Sequence, residues 1–245
     1  MRAIKKRPVP KALTEWRAPR LVQNRTEGME CTYDEMRKDT HARRAVEEGL
    51  FDEQGGLCAY TGMTLQPSTE TRSEEAGFHL EHLIPQMHCE YGQDADYGNL
   101  VACWPPPNCG FEPSYGARRK GSWPSPAERH LFVSPLDGSC SRRFRFDHRG
   151  AISAAIPGDQ AAATTIEKLG LDDPSLTDLR AHAIRGALSQ IKLKDARKLL
   201  REIEADTEKL ERGEPVRLRR FSFAIQQALD REIRKLEGIM NKANK

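Results

Sequence analysis

The chain has 245 residues, of which 38% are hydrophobic and 31% charged, and its 39 basic and 36 acidic residues leave a formal net charge of +3. This length allows one large domain or two small ones with a real buried core. No apolar run approaches the roughly 18 residues that a membrane span needs. No apolar segment follows the first basic residues, so we expect neither a membrane span nor a secretory signal, but a cytoplasmic protein.

The N-terminal part of the chain combines basic residues with helix-forming ones. Residues 1–28 carry a strong excess of lysine and arginine with three prolines, which predicts an extended basic arm. The segment from Tyr33 to Gln54 is rich in Glu, Arg, Ala and Met at helical spacing, which predicts a helix that ends at Gly55 and Gly56.

Two short apolar segments in the middle of the chain favour β-strands. Residues 78–84 are apolar and end at Pro85, and residues 99–103 form a second apolar run before a proline cluster. Residues 143–147 alternate arginine with phenylalanine, and residues 151–156 follow a glycine. This second pair predicts a β-hairpin.

The composition changes after residue 158, where four segments look helical: 159–170, 174–192, 194–212 and 218–241. In the last two, apolar residues recur at helical spacing, which predicts a packed helical bundle. Together with the strands, these helices predict an α+β fold.

The segment His79-Leu80-Glu81-His82 holds two imidazoles and a carboxylate within four residues. On a strand, His79 and Glu81 share one face and His82 lies on the other. One group can hold a divalent metal while another takes a proton from water, and phosphodiester hydrolysis uses both. A neutral histidine suits the base role at pH 7. The alternative interpretation is a pair of surface histidines beside a solvated glutamate.

The neighbouring segments favour the metal-site interpretation. They are the upstream turn 53–62, the run 97–103, the pair Asn108-Cys109 and the segment 115–121 that ends in Lys-Gly. With these neighbours the sequence resembles the HNH endonuclease family, whose ββα-metal site has a Cys-bearing first turn, an acid and a histidine at the end of one strand, and an Asn-Leu on the next. Over most of residues 1–190 it resembles the PtuB-like nucleases of Septu-type and retron-associated anti-phage defence systems.

The resemblance implies a fold and a function. The fold is α+β, with a ββα-metal HNH core preceded by a helix and followed by a β-hairpin and a helical C-terminal region. The implied parts are a basic arm 1–28, a nuclease domain 29–157 and a helical region 158–245. The implied activity is DNA cutting or nicking beside a separate ABC/SMC-type ATPase, since this chain has no Walker motif. An RNA substrate such as tRNA, and a degenerate binding or adaptor subunit, stay open as alternatives.

The same resemblance implies roles for individual residues. His82 would be the general base, Glu81 an acidic ligand of Mg²⁺ or Mn²⁺, and Asn99 the residue that ties the loop and helps hold His82. His79 is expected near the site, as a ligand or as a residue that orients Glu81 or the metal. Asn108 is a candidate for the remaining ligand, because the usual position holds Ala117.

Two further sets of residues follow from the resemblance. Arg118, Arg119 and Lys120 would contact phosphate. Three cysteines could bind Zn²⁺ with a fourth ligand, or could pack as small apolar residues: Cys58, Cys103 and Cys109.

Overall fold

The structure is a computed structural model that describes residues 1–22, 29–70, 76–107 and 109–243. Over these ranges it is an α+β protein, with nine α-helices and two separate two-stranded antiparallel sheets. Among the helices described, none has the length and apolar character that spanning a membrane requires.

Residues 1–22 are not an extended arm, contrary to the sequence prediction. They contain helix α1 (Lys11–Arg17), which begins after Pro10 and buries Leu13 and Trp16 against helix α3 (Thr40–Glu53). A proline is tolerated at this position because the first N–H groups of a helix have no partner within it. The prolines therefore start a packed helix. Residues 23–28 of the predicted arm lie outside the described residues.

The predicted helix from Tyr33 to Gln54 is two helices, α2 (Tyr33–Lys38) and α3, which meet at Asp39. Asp39 has an extended backbone, and its carboxylate accepts hydrogen bonds from the amides of His41 and Ala42. This is the N-cap arrangement that Asp favours, so it ends one helix and begins the next. Gly55 and Gly56 have φ of +63° and +70°, which confirms the predicted end of α3.

The two apolar segments in the middle of the chain pair as strands β1 (His79–His82) and β2 (Leu100–Cys103). The pairing is antiparallel and sets His79 opposite Cys103 and His82 opposite Leu100. The side chain of Gln54 bonds both the amide and the carbonyl of Ala102, so the end of α3 holds β2 in place. The short helix α4 (Ala117–Lys120) follows.

The C-terminal half confirms the predicted hairpin and helices. After α5 (Cys140–Arg143), strands β3 (Phe144–Phe146) and β4 (Ile152–Ala154) pair antiparallel. The helices are α6 (Gln160–Leu169), α7 (Pro174–Leu188), α8 (Leu193–Glu211) and α9 (Ser222–Ala243). The main apolar core runs from Met1 to Ile233 and draws on all three predicted parts of the chain. The boundaries at 28 and 157 stay predictions.

Candidate active site

The four residues of β1 alternate in burial along one edge of an open cleft of about 500 Å³. His79 and Glu81 lie on the same face, with side chains 17% and 14% exposed, and His79 Nε2 is 3.8 Å from Glu81 Oε2. His82, on the other face at the strand end, is 8% exposed and also lines the cleft. The structure thus brings together the three ionisable side chains that the sequence singled out in this segment.

The ring of His82 is held by a backbone carbonyl. Its Nε2 lies 2.9 Å from the carbonyl oxygen of Asp94, and since a carbonyl can only accept, Nε2 carries the proton. The neutral ring therefore keeps a lone pair on Nδ1. The edge of the Tyr33 ring packs against the imidazole, with 4.5 Å between centroids. Burial lowers the pKa of His82 below its ordinary value, so the ring is neutral at pH 7.

The ring of His79 has the opposite tautomer. Its Nδ1 lies 2.5 Å from the carbonyl oxygen of Pro105, so Nδ1 carries a proton, and in the neutral ring the lone pair is on Nε2, the atom that faces Glu81. Histidines that bind metal ions commonly donate their other ring N–H to a carbonyl or carboxylate in this way. His79 is therefore oriented as a metal ligand would be.

The Lys120 ammonium is buried beneath the site. It lies 2.9 Å from Glu81 Oε1 and donates to the carbonyl of His82 at 2.8 Å, and its side chain is 1% exposed. The sequence predicts that Lys120 contacts phosphate. Its location instead favours a role in fixing Glu81 and the end of β1.

Asn99 ties down the loop that follows β1. Its Oδ1 accepts from the amide of Ile84 at 2.8 Å, and its Nδ2 donates to the carbonyls of Ile84 and Gln93 at 3.1 and 3.3 Å. Asp94, whose carbonyl holds His82, follows Gln93 directly. Asn99 therefore positions His82 through the loop and makes no hydrogen bond with the ring.

The donor set at β1 fits a divalent cation as a partial site. For metal–ligand bonds of about 2.1 Å, adjacent octahedral ligands are about 3.0 Å apart and opposite ones about 4.2 Å. The 3.8 Å between His79 Nε2 and Glu81 Oε2 lies between these two values and equals neither, so the two atoms are near enough to share a cation after a small shift of one side chain. The described part of the chain contains no group of three or more His, Cys, Asp or Glu side chains that could hold a metal. The predicted ligand Asn108 lies outside the described residues.

The cysteines predicted as zinc ligands are not gathered into one group. Cys58 and Cys103 are buried and hydrogen bond to each other, and Cys109 is a partly exposed free thiol that does not join them. Burial raises the pKa of Cys103 well above its ordinary value. Burial acts in the same direction on Cys58, but hydrogen bonds with Cys103 and Thr61 outweigh it and lower its pKa to about 6.

The basic side chains near the site differ in direction. Arg118 lines the cleft and donates to the carbonyl of Pro107 at 3.2 Å, whereas Arg119 turns away and donates to the carbonyl of Glu167 at the end of α6. Arg37 and Arg43, which sequence reasoning treated as ordinary helix residues, line the cleft as well.

No family model matches the sequence, and no curated protein matches it significantly. The assignment of a function therefore depends on the geometry at β1 and on the motifs themselves. The residues that sequence reasoning missed gave no motif signal, since Asp94 and Pro105 act through backbone carbonyls that any residue type could supply.

Proposed function

We propose that the chain is a metal-dependent endonuclease of the HNH type that hydrolyses phosphodiester bonds, with its ββα-metal core formed by β1, β2 and α4. The observation that carries this proposal is the pair of opposite histidine tautomers on β1. His82 keeps a free Nδ1 for proton transfer, and His79 turns a free Nε2 toward Glu81 at the same cleft.

In this mechanism His82 is the general base. Its Nδ1 accepts a proton from the attacking water, and the Asp94 carbonyl keeps the ring from turning and stabilises the charged ring once Nδ1 is protonated. Burial keeps the ring neutral and therefore ready to accept at pH 7. Asn99 and Tyr33 act indirectly, because the first holds the loop that supplies Asp94 and the second packs against the ring.

Glu81 and His79 would hold Mg²⁺ or Mn²⁺, with water and substrate oxygens as further ligands. Such an ion, when bound, neutralises the charge that builds on the phosphate and on the leaving oxygen. Lys120 keeps the carboxylate of Glu81 in position from below, and the Pro105 carbonyl fixes the ring of His79. Zn²⁺ at Cys58 and Cys103 has no comparable support, since no third ligand side chain of the described residues joins them.

The proposal extends to the biological setting through the resemblance to PtuB-like nucleases. In that setting the chain is the nuclease subunit of an anti-phage defence complex, and an ABC/SMC-type ATPase on another chain controls it. DNA is the proposed substrate. RNA is a second candidate, because a site centred on the phosphate and the attacking water reads no base and acts equally on either backbone.

A side-by-side cleavage assay tests the proposal. Plasmid DNA and total RNA are incubated with the chain, alone and with the ATPase, in Mg²⁺, in Mn²⁺ and with EDTA. We expect wild type to cleave in a metal-dependent way and His82→Ala to lose this cleavage. The matched variant His148→Ala, at an exposed position, should cleave as wild type does. Circular dichroism checks that both variants fold. Full cleavage by folded His82→Ala would refute the assignment of the base.

A degenerate binding subunit is the competing function, and one observation favours it. Ala117 stands where an HNH site supplies a further ligand, and the described residues offer no three-ligand group. The same assay separates the two functions, since a degenerate subunit binds nucleic acid without metal-dependent cleavage under any of the conditions.

A further inference from the structure

We propose that Arg37, Arg43 and Arg118 form a phosphate clamp that holds the nucleic-acid backbone beside the reacting phosphodiester. The inference rests on the proposed nuclease function and names side chains for substrate binding outside the β1 residues. The three guanidinium groups come from α2, α3 and α4 and line the same cleft as β1. Two of them lie on helices that precede the predicted nuclease motif in the sequence.

The junction of α2 and α3 brings positive charge to the cleft through Arg37 and Arg43. Helix α2 ends with Arg37 and Lys38, of which Lys38 is paired with Glu35, and α3 has Arg43 and Arg44 immediately after its first turn, which contains no acidic residue. Cations near a helix N-terminus are unfavourable because the helix dipole is positive there. Asp39 offsets part of this charge, but its carboxylate already accepts two amide hydrogen bonds. An anionic ligand at the junction would offset the remaining unfavourable interaction between these cations and the dipole of α3.

Arg43 carries the most specific observation. Its Nε is buried and has no hydrogen-bond partner among the residues that the structure describes. A buried donor without an acceptor is unfavourable, so native proteins retain few of them. Because Arg43 lines the cleft, an acceptor that enters the cleft can reach this side chain. Phosphate oxygens match the planar fork of a guanidinium and can accept two parallel hydrogen bonds.

Arg37 and Arg118 place positive charge in the cleft that His82 also lines. The guanidinium of Arg37 lies 5.8 Å from the centroid of the Tyr33 ring, and that ring packs against His82. Arg118 is exposed and uses one nitrogen for the carbonyl of Pro107, so its other N–H groups can bind a ligand. A backbone that contacts both arginines therefore lies in the same cleft as His82.

The charges of the cleft as a whole fit a polyanion. Among the residues that the structure describes, the acidic lining residues are Glu47 and Glu81, and Glu81 is already paired with the buried ammonium of Lys120. With Lys120 counted, this described part of the site has four cationic side chains and two anionic ones. This excess attracts the phosphates of DNA or RNA more strongly than a neutral substrate.

The test measures binding without cleavage. Fluorescein-labelled single-stranded DNA, its duplex and an RNA of the same sequence are titrated in EDTA at several salt concentrations, with anisotropy as the readout. We expect Arg37→Ala, Arg43→Ala and Arg118→Ala each to weaken binding about 5- to 10-fold and to reduce the slope of log K against log salt by about 1. Arg43→Lys, which keeps the charge but loses the fork, should fall between wild type and Arg43→Ala.

Arg201→Ala is the matched control, since Arg201 is an exposed arginine on α8 that does not line the cleft. It should bind as wild type does, and thermal melting checks that every variant folds. The clamp is overturned if wild type binds none of the probes, if the three cleft variants keep wild-type affinity and slope, or if Arg201→Ala loses as much. The DNA and RNA probes show which backbone the clamp prefers.

The clamp and the nuclease proposal can fail separately. His82→Ala should retain binding to the preferred probe while it loses cleavage. If no probe is ever cleaved but the cleft variants alone lose affinity, the nuclease proposal fails and the clamp stands. If the cleft variants bind and cleave as wild type does, the clamp fails and the nuclease stands.

Discussion

Replacing Lys120 with methionine tests whether its buried ammonium stabilises the site through Glu81 and the carbonyl of His82. The substitution keeps most of the side-chain volume and removes the charge that lies 2.9 Å from Glu81 Oε1 and 2.8 Å from the His82 carbonyl. Removing one partner of a buried ion pair costs about 3–5 kcal/mol. Because Glu81 is 14% exposed, we expect the lower end of that range, about 3 kcal/mol.

For a chain of this size, 1 kcal/mol corresponds to about 2–4 °C in Tm, so Lys120→Met should lower Tm by about 6–12 °C. Differential scanning calorimetry at pH 7 in EDTA measures this change. Arg118→Met, at an exposed position two residues earlier in α4, is the matched control and should shift Tm by less than about 2 °C.

A double-mutant cycle with Glu81→Gln separates the ion pair from simple loss of packing. If the ammonium stabilises the protein through the carboxylate, Glu81→Gln in the Lys120→Met background relieves an unpaired charge, and the coupling energy should be about 1–3 kcal/mol. Two results would refute the reasoning. One is a coupling energy near zero, and the other is a Tm for Lys120→Met that equals that of Arg118→Met.

Three other substitutions probe the loop, the base and the distal packing. Asn99→Ala leaves the partly buried amide of Ile84 without its partner and removes one of two donors to the Ile84 carbonyl, so it should cost about 1–3 kcal/mol and lower kcat, with faster amide exchange in residues 84–94. Because the pKa of folded His82 is lowered, its neutral form stabilises the protein above a pH of about 6.5, and this stabilisation is lost as the pH falls through the lowered pKa. His82→Gln should therefore show a smaller drop in Tm between pH 7.5 and 5 than wild type. An equal drop would contradict this reasoning. Gly150→Ala should lower the free energy of unfolding by more than about 2 kcal/mol, because a Cβ at this position would meet the backbone of α7 at 2.3 Å. Gly158 has a similar φ but open space around it, so Gly158→Ala should cost about 1 kcal/mol. Chemical denaturation measures both values.

The secondary structure was predictable wherever a pattern is local. The hairpin of β3 and β4 follows from alternating residues around a glycine turn, and helices α6 to α9 follow from apolar stripes between Gly and Pro signals. The break at Asp39 could also have been found, because Asp-Thr within a helical pattern is an N-cap signal. The prolines of residues 1–22 misled the prediction because Pro10 precedes a helix whose buried face is only two residues, Leu13 and Trp16.

The site was predictable as a set of side chains but not as an arrangement. His79, Glu81 and His82 are near in sequence, so strand geometry alone puts them together. The contacts that orient them come from distant segments, since Lys120 is 38 residues from His82, and its burial has no local signature. The basic run of residues 118–120 before Gly121 suggests a surface patch, yet the side chain of Lys120 is buried.

Strand β2 and the segments at its two ends explain how both histidine rings are fixed at once. Before β2, the loop tied by Asn99 supplies the Asp94 carbonyl to His82, and after β2 the chain supplies the Pro105 carbonyl to His79. Since side chains on a strand alternate between faces, a slip of β1 against β2 by one residue would exchange these faces and separate both rings from their carbonyls. The register His79 to Cys103 is therefore the condition for the two tautomers, and Gln54, which bonds Ala102 at both its amide and its carbonyl, holds the β2 side of this pairing. Gln54 belongs to the turn that ends α3, so the same helix that presents Arg43 to the cleft also holds the strand that pairs with the histidine-bearing β1.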